Sequence, residues 1–299
     1  MTSPLTPLGP FSLRAARSFL TGFTPAGLPA GPDDGVLRLA LVLDGGGPVG
    51  VALRQEPTGE VSVDAHDDQG RPVTGQALTS QVARMLSLDV DARGLAGAVA
   101  ADAQASRLVA EQPGLRPVCF GSPYEAAAWA VLSQRNRMTV AAAVRRRIAR
   151  DLGTRHEVAG VELAAFPAPE VLLAVRQIEG VDERRLERLH AVARAARSGV
   201  LDGSRLRDAD TDAARAALLG IPGIGPFSAE LVLIRGAGAP DVFPSAEPRL
   251  HAEMGRAYGV DPGDVDRLTA VADGWRPFRS WVSFLFRRRA EDRSVRPDA

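Results

Sequence analysis

Two periods of hydrophobic spacing divide this chain. Residues 36–43, 49–55 and 60–65 alternate or run apolar, and turn residues separate them (Asp44-Gly45-Gly46-Gly47, then Glu56-Pro57-Thr58-Gly59). That pattern predicts an antiparallel β-meander. The glycine triplet belongs to neither GxxxxGK[ST] nor GxGxxG, so it reads as a hairpin connection rather than a phosphate loop. From Thr79 onward the spacing turns helical, over 79–88, 92–101, 123–134, 139–152, 167–176, 182–198, 211–219, 226–235, 249–258, 263–272 and 277–289. The predicted fold class is α+β. A Pro- and Gly-rich lead-in (1–35) carries one short helical stretch around 11–20. Next comes a small antiparallel-sheet domain (36–115), and then an all-α body (116–299) of two helical subdomains. No period of 20–50 residues recurs, which argues against a repeat scaffold.

The most informative stretch runs from Leu218 to Glu230, LLGIPGIGPFSAE. The run 211–219 makes a helix with one apolar face, and Gly220 stands where a helix stop is expected. Gly223 and Gly225 permit the positive φ angles of a very tight turn. Pro226 suits the first position of a second helix, where its missing N–H costs nothing. Such a turn leaves backbone N–H groups pointing outward at a helix N-terminus, a nest for an anion such as a nucleic-acid phosphate. The competing reading is a glycine-rich turn between packed helices.

The segment resembles the helix-hairpin-helix of DNA repair glycosylases, whose core motif is L-P-G-I-G. Downstream, Arg235-Gly236 and then Asp241-Val242-Phe243-Pro244 are similar to the R-G/R-A and D-x-F-P of the 3-methyladenine DNA glycosylase II branch. Trp275-Arg276-Pro277-Phe278-Arg279-Ser280-Trp281 is similar to its W-R-P-W-R-S-Y. Ser122-Pro123-Tyr124-Glu125-Ala126 through Leu132-Ser133-Gln134 is similar to its D-P-F-E-A…L-G-Q, and 86–91 to its F-D-L-D-x-D. The resemblance extends from about residue 36 to 290.

The resemblance implies a function and a set of site residues. The function is monofunctional hydrolysis of the N-glycosidic bond of damaged, alkylated purines in duplex DNA, and the partner is double-stranded DNA with a damaged base. The alternative is a non-catalytic protein that recognises lesions or distorted duplex on the same fold. The catalytic aspartate of the family lies four residues after the D-x-F phenylalanine, and here Glu247 holds that place. Gly220, Ile221, Gly223, Ile224, Gly225 and Ser228 are the expected DNA contacts of the hairpin. Gln134 is a further expected DNA contact, and Arg135, following it, lies where the family inserts a side chain into the gap left by a flipped base, although a plain surface arginine is an equal reading of Arg135. Phe227, Leu231 and Trp281 are the expected base pocket. Phe227 replaces the family's tryptophan, which makes the pocket less suited to cationic bases than an indole would be.

The residues themselves add to this. Pro248 forces Glu247 into an extended conformation at a helix N-cap, where the dipole favours a carboxylate. Complementing that dipole is the bland explanation for Glu247. His251 lies four residues on, but two candidate ligands make no metal site, and no cofactor is expected. All 36 basic side chains are arginine, and there is no lysine. Schiff-base strand cleavage through a lysine is therefore excluded. The single cysteine, Cys119, excludes an internal disulfide and a four-cysteine iron–sulfur cluster.

Net charge is zero over 299 residues, with 36 basic and 36 acidic side chains, but it is unevenly placed. Residues 1–115 carry a balance of −4 and residues 116–299 of +4. Arginines cluster at 135 and 137, at 145–147 with 150, and at 287–289. Each cluster is either part of a phosphate-binding face or an ordinary solvated helix face. No stretch resembles a signal peptide and no apolar run approaches the ~20 residues of a membrane span. A cytoplasmic monomer is expected.

Overall fold

The computed structural model describes residues 4–23 and 31–295. The rest of the predicted lead-in, 1–3 and 24–30, lies outside the described residues. Its helical stretch forms α1 (Leu13–Gly22), capped by Ser12, whose side chain accepts from Ala15 N at 3.1 Å.

The meander forms as β1 (Leu37–Val42), β2 (Pro48–Gln55) and β3 (Val61–His66), antiparallel in the order β1-β2-β3. Alternation assigns its faces. Leu37, Leu39, Leu41, Val51, Leu53 and Val63 enter a core shared with α2 (Gln76–Met85). Ala40 and Ala52 face the other way. A 3₁₀ turn, Ala92–Gly94, leads into the short α3 (Leu95–Ala98), and then comes α4 (Ala103–Glu111). The segment expected as one helix over 92–101 is thus broken. Asp102 starts α4 by accepting from the amides of Gln104 and Ala105.

The body begins with α5 (Pro123–Ser133), whose residues 123–132 are all buried. A helix apolar on every side belongs at the centre of a bundle. Around it lie α6 (Met138–Leu152), a β-hairpin of β4 (Arg155–Val158) and β5 (Val161–Ala164), α7 (Pro169–Ala174), α8 (Glu183–Arg197), α9 (Gly203–Asp208), α10 (Thr211–Leu219) and α11 (Pro226–Arg235). The chain ends in α12 (Pro248–Tyr258), α13 (Val265–Asp273) and α14 (Arg279–Val295). The body is therefore helical apart from one hairpin, whose Val158 and Leu163 cover the outer face of the meander. A Cβ at Gly50 would lie 2.7 Å from Val158 Cγ2, so glycine allows that approach. Arg38 holds the hairpin's turn by donating to Ala159 O at 3.1 Å.

Two main cores result. One gathers α5–α11. The other joins α1, the sheet, α2 and α4 to α12–α14, so the C-terminal helices share their interior with the N-terminal domain. Arg116 ties this second body together. Its buried guanidinium donates to the carbonyls of Leu8, Gly9, Pro10, Ser87 and Val90 at 2.7–3.1 Å. Burial lowers its pKa to about 10, against the opposing charges of Asp91 and Asp89.

Candidate active site

Between α10 and α11 the chain turns through Gly220 to Gly225. Ile221 and Ile224 are buried and anchor the turn in the core. The amides of Gly220, Ile221 and Ile224 are used within the turn, bonded to Ala216, Leu218 and Ile221 carbonyls. These three expected contacts therefore shape the hairpin rather than supply its donors. Among the described residues, the amides of Gly223, Gly225, Phe227 and Ser228 have no protein acceptor, and Gly225 offers α11 no side-chain cap. Ser228 is itself buried, so its side chain offers no exposed contact. Gly223 needs to be glycine: its φ is +93°, and a Cβ would lie 2.7 Å from the Arg188 side chain. Gly225 is different from expectation. Its φ is −98°, open to any residue, and a Cβ there would meet nothing within 4 Å.

The hairpin is braced from both sides. Gln134 Nε2 donates to Gly223 O at 2.6 Å, and its Oε1 accepts from Arg188 Nη1 at 2.7 Å. Arg185 Nη2 reaches Gln134 O at 3.2 Å. The next residue, Arg135, is exposed with φ +55°, a left-handed conformation uncommon outside glycine. Beside Pro222 and Gly223 runs a groove of about 530 Å³ edged by Arg184, Arg188 and Arg194 of α8. Of the arginine clusters, left open between a phosphate-binding face and a solvated helix face, several members are already paired. Arg145 pairs with Glu125, Arg147 with Glu179, Arg150 with Asp151 and Arg289 with Glu253, all at 2.6–2.7 Å.

Next to the hairpin, at the seam between the two cores, lies a cavity of about 450 Å³. Helices α5 and α11 supply Trp129, Phe227, Leu231 and Ile234. Helices α1, α12 and α14 supply Phe19, Leu250, Ser283 and Phe284. Phe227 is 43% exposed and stands at the mouth. Arg235 sits in the wall with its guanidinium 4.7–5.3 Å from the rings of Phe19, Phe23 and Phe284, and its Nε donates to Val118 O at 2.9 Å. Burial lowers its pKa to about 10.

Glu247 lines this cavity as the N-cap of α12, with the extended φ of −106° that Pro248 imposes. Its Oε1 accepts from Arg249 N at 3.0 Å, and its Oε2 lies 3.5 Å from Arg287 Nε. The approach to it is fixed residue by residue. His251 Nε2 contacts Pro244 O at 3.0 Å, and Glu230 accepts from Ser245 Oγ at 2.5 Å and from Ala246 N at 2.9 Å. His251 is thereby a brace, stacked on Phe243 at 5.9 Å. Among the described residues no group of three or more His, Cys, Asp or Glu could hold a metal.

No family model matches the chain. The "Probable bifunctional transcriptional activator/DNA repair enzyme AlkA" of Mycobacterium tuberculosis is 30% identical over 69% of this chain and 41% of its own. The chain thus spans less than half the length of that relative. "DNA-3-methyladenine glycosylase 2" of Escherichia coli is 30% identical over 216 residues, 71% of this chain and 71% of that protein. The chain belongs to the DNA-3-methyladenine glycosylase 2 family. The same architecture recurs in the 3-methyladenine DNA-glycosylase from Archaeoglobus fulgidus. Its TM-score is 0.78 at 20% identity, covering 98% of this chain and 100% of that one.

As a DNA-3-methyladenine glycosylase 2 family member, the chain brings Glu247, Phe227 and Leu231 to one cavity, beside a hairpin that Gln134 holds. Trp281 is a correction. It is buried against Phe278 at 5.5 Å and over the Arg116 guanidinium at 5.6 Å, outside the cavity. On α14, Ser280, Ser283 and Arg287 face the cavity, and Trp281 falls on another side of the helix. Asp241, the carboxylate of the D-x-F-P segment, lies outside the cavity lining and is committed to Arg276 at 3.0 Å and Arg279 at 2.8 Å. Sequence reasoning missed Trp129, Phe19, Phe284 and Glu230. An aromatic residue on a uniformly apolar helix such as α5 carries no periodic sign of which side opens on a cavity.

Proposed function

We propose that this protein is a monofunctional DNA glycosylase that hydrolyses the N-glycosidic bond of damaged, alkylated purines in duplex DNA. The carrying observation is that a carboxylate, Glu247, lines an aromatic cavity of about 450 Å³ immediately beside a hairpin with unused amides. The amides of Gly223, Gly225 and Phe227 receive a backbone phosphate, and the arginines of α8 extend the positive track. Arg135, held outward by its left-handed backbone, fills the place of the flipped nucleotide. The extruded base enters between Phe227, Leu231 and Trp129. Such a cavity is apolar enough to stack a purine.

Glu247 then stabilises the positive charge that develops on the deoxyribose as the glycosidic bond breaks. The base leaves with the bonding electron pair, which neutralises the positive charge of an N-alkylated purine, so no proton need be supplied to it. Water adds to the sugar carbon and gives its proton to the carboxylate. At an effective dielectric near ~20, a unit charge ~4 Å away contributes roughly 4 kcal/mol. That is about a thousandfold in rate if it acts only on the transition state. With no lysine in the chain, the abasic strand is released uncut.

A second reading is supported by one observation. Both oxygens of Glu247 already have partners, Arg249 N and Arg287 Nε, so the protein could instead recognise lesions without excising them. Base release from duplexes carrying single defined lesions tests both. Release of an alkylated purine establishes the enzyme, and specific binding without release establishes the binder.

A further inference from the structure

Glu230 lies in the second helix of the hairpin, only 3% exposed, and its side chain reaches the cavity wall. Burying a carboxylate is costly unless it is paired and hydrogen-bonded. Here every partner belongs to the machinery around Glu247 or to the hairpin. Ser245 Oγ donates to one oxygen at 2.5 Å and Ala246 N to the other at 2.9 Å. Arg215 Nη2, from the first hairpin helix α10, lies 3.7 Å from the first oxygen. Ser245 and Ala246 are the two residues immediately before Glu247. Beyond them, Pro248 starts α12. Glu247 thus has a rigid helix on one side and a turn on the other whose position depends on Glu230.

We propose that Glu230 is a positioning residue. It fixes the Ser245-Ala246 turn so that the Glu247 carboxylate is aimed into the cavity. Through Arg215, it makes that aim depend on the hairpin that grips the phosphate. The proposal rests on the reading of Glu247 as the catalytic carboxylate. Glu230 itself touches no reacting atom. Its effect is geometric, and a displacement of ~1 Å at a reacting group can cost about a hundredfold in rate.

The test is single-turnover excision and lesion-duplex affinity, with full-length protein and a duplex that the wild type cleaves. Glu230→Ala should slow excision about 10- to 100-fold while Kd moves less than about 3-fold. Glu230→Gln, which keeps an acceptor for the Ala246 amide, should recover most of the rate. On a Glu247→Gln background, Glu230→Ala should produce no further loss, because the residue it positions has already been disabled. A folded Glu230→Ala with the wild-type rate overturns the proposal, as does an equal fold-loss on both backgrounds. If Glu230→Ala does not fold, Ser245→Ala removes one of the two bonds and enters the same cycle, with the same outcomes decisive. If Glu247→Gln alone excises as fast as wild type, the catalytic reading of Glu247 falls. Failure of the Glu230 proposal alone leaves Glu247→Gln slow.

Discussion

Arg287 Nε stands 3.5 Å from Glu247 Oε2, on the helix that faces the N-terminus of α12 across the cavity. The carboxylate proposed to meet a developing positive charge therefore already faces a permanent one, while its other oxygen caps α12 through Arg249 N. Arginine keeps its charge at any working pH, so this pairing persists until substrate competes with it.

Replacing Glu247 with glutamine keeps an oxygen to cap α12 and removes the charge. Fold and lesion binding should persist, while single-turnover excision falls by about 10²- to 10³-fold, the loss expected when one preorganised electrostatic contact disappears. Glu247→Asp asks whether geometry limits the rate, and a rise in activity would show that it does. Unchanged excision in Glu247→Gln would reduce Glu247 to a helix cap.

The two hairpin glycines should behave oppositely. Gly225→Val has an ordinary φ and open space around its Cβ, so the protein should keep its Tm. The added side chain would then stand where a phosphate approaches, and binding to all duplexes should weaken similarly. Gly223→Val meets a φ of +93° and the Arg188 stem, and should cost about 1–3 kcal/mol or more of stability from the backbone conformation alone. Thermal unfolding and salt-titrated affinity on both variants separate the two effects. Normal affinity in a folded Gly225→Val removes the hairpin from the DNA interface.

Legibility in the sequence tracked the locality of each signal. The meander was legible because strong turns, Asp44 to Gly47 and Glu56 to Gly59, bound its strands. The hairpin was legible because proline and glycine fall at helix ends. The β4-β5 hairpin was not, since its turn is Ala159-Gly160, with Ala159 at φ +46° in place of the usual Asn or Asp. Gly225 was misread because glycine permits a positive φ without requiring one. Trp281 was misplaced because its neighbour Phe278 and the distant Arg116 decide which way it faces. The partners of Glu230 lie 15 and 16 residues away, and nothing in local spacing announces them.

Asp102 links stability to pH. It caps α4 and also accepts from Tyr258 OH at 2.7 Å and Trp275 Nε1 at 2.8 Å, joining the N-terminal domain to α12 and the end of α13. Burial pushes its carboxyl up, but the hydrogen bonds from Ala105 N, Trp275, Tyr258 and Gln104 N outweigh that and hold it below the usual range. A depressed folded pKa contributes stability that is fully present above the unfolded value of ~3.9. That contribution is lost as pH falls through the folded one. Asp102→Asn should therefore be less stable than wild type at pH 6, with the gap closing below about pH 4. Urea unfolding at a series of pH values measures this, and a gap that stays constant down to pH 2.5 would assign the loss to packing.

Once the base has left, strand cleavage by a glycosylase requires an amine to attack the sugar carbon and form a Schiff base, and lysine is the side chain that supplies it. This chain has none, and Phe227, two residues past the last hairpin glycine, stands at the cavity beside the hairpin. Arginine cannot substitute, because its guanidinium stays protonated even when burial lowers its pKa to about 10, as at Arg235. The product should be an intact abasic strand that breaks only on alkali or heat, and borohydride should trap no covalent complex. Placing the missing amine by Phe227→Lys gives the reciprocal test: a trappable adduct in that variant, absent in the wild type, would show that the sugar comes within reach of this position. A trapped adduct in the wild type would overturn the monofunctional assignment and require a different amine.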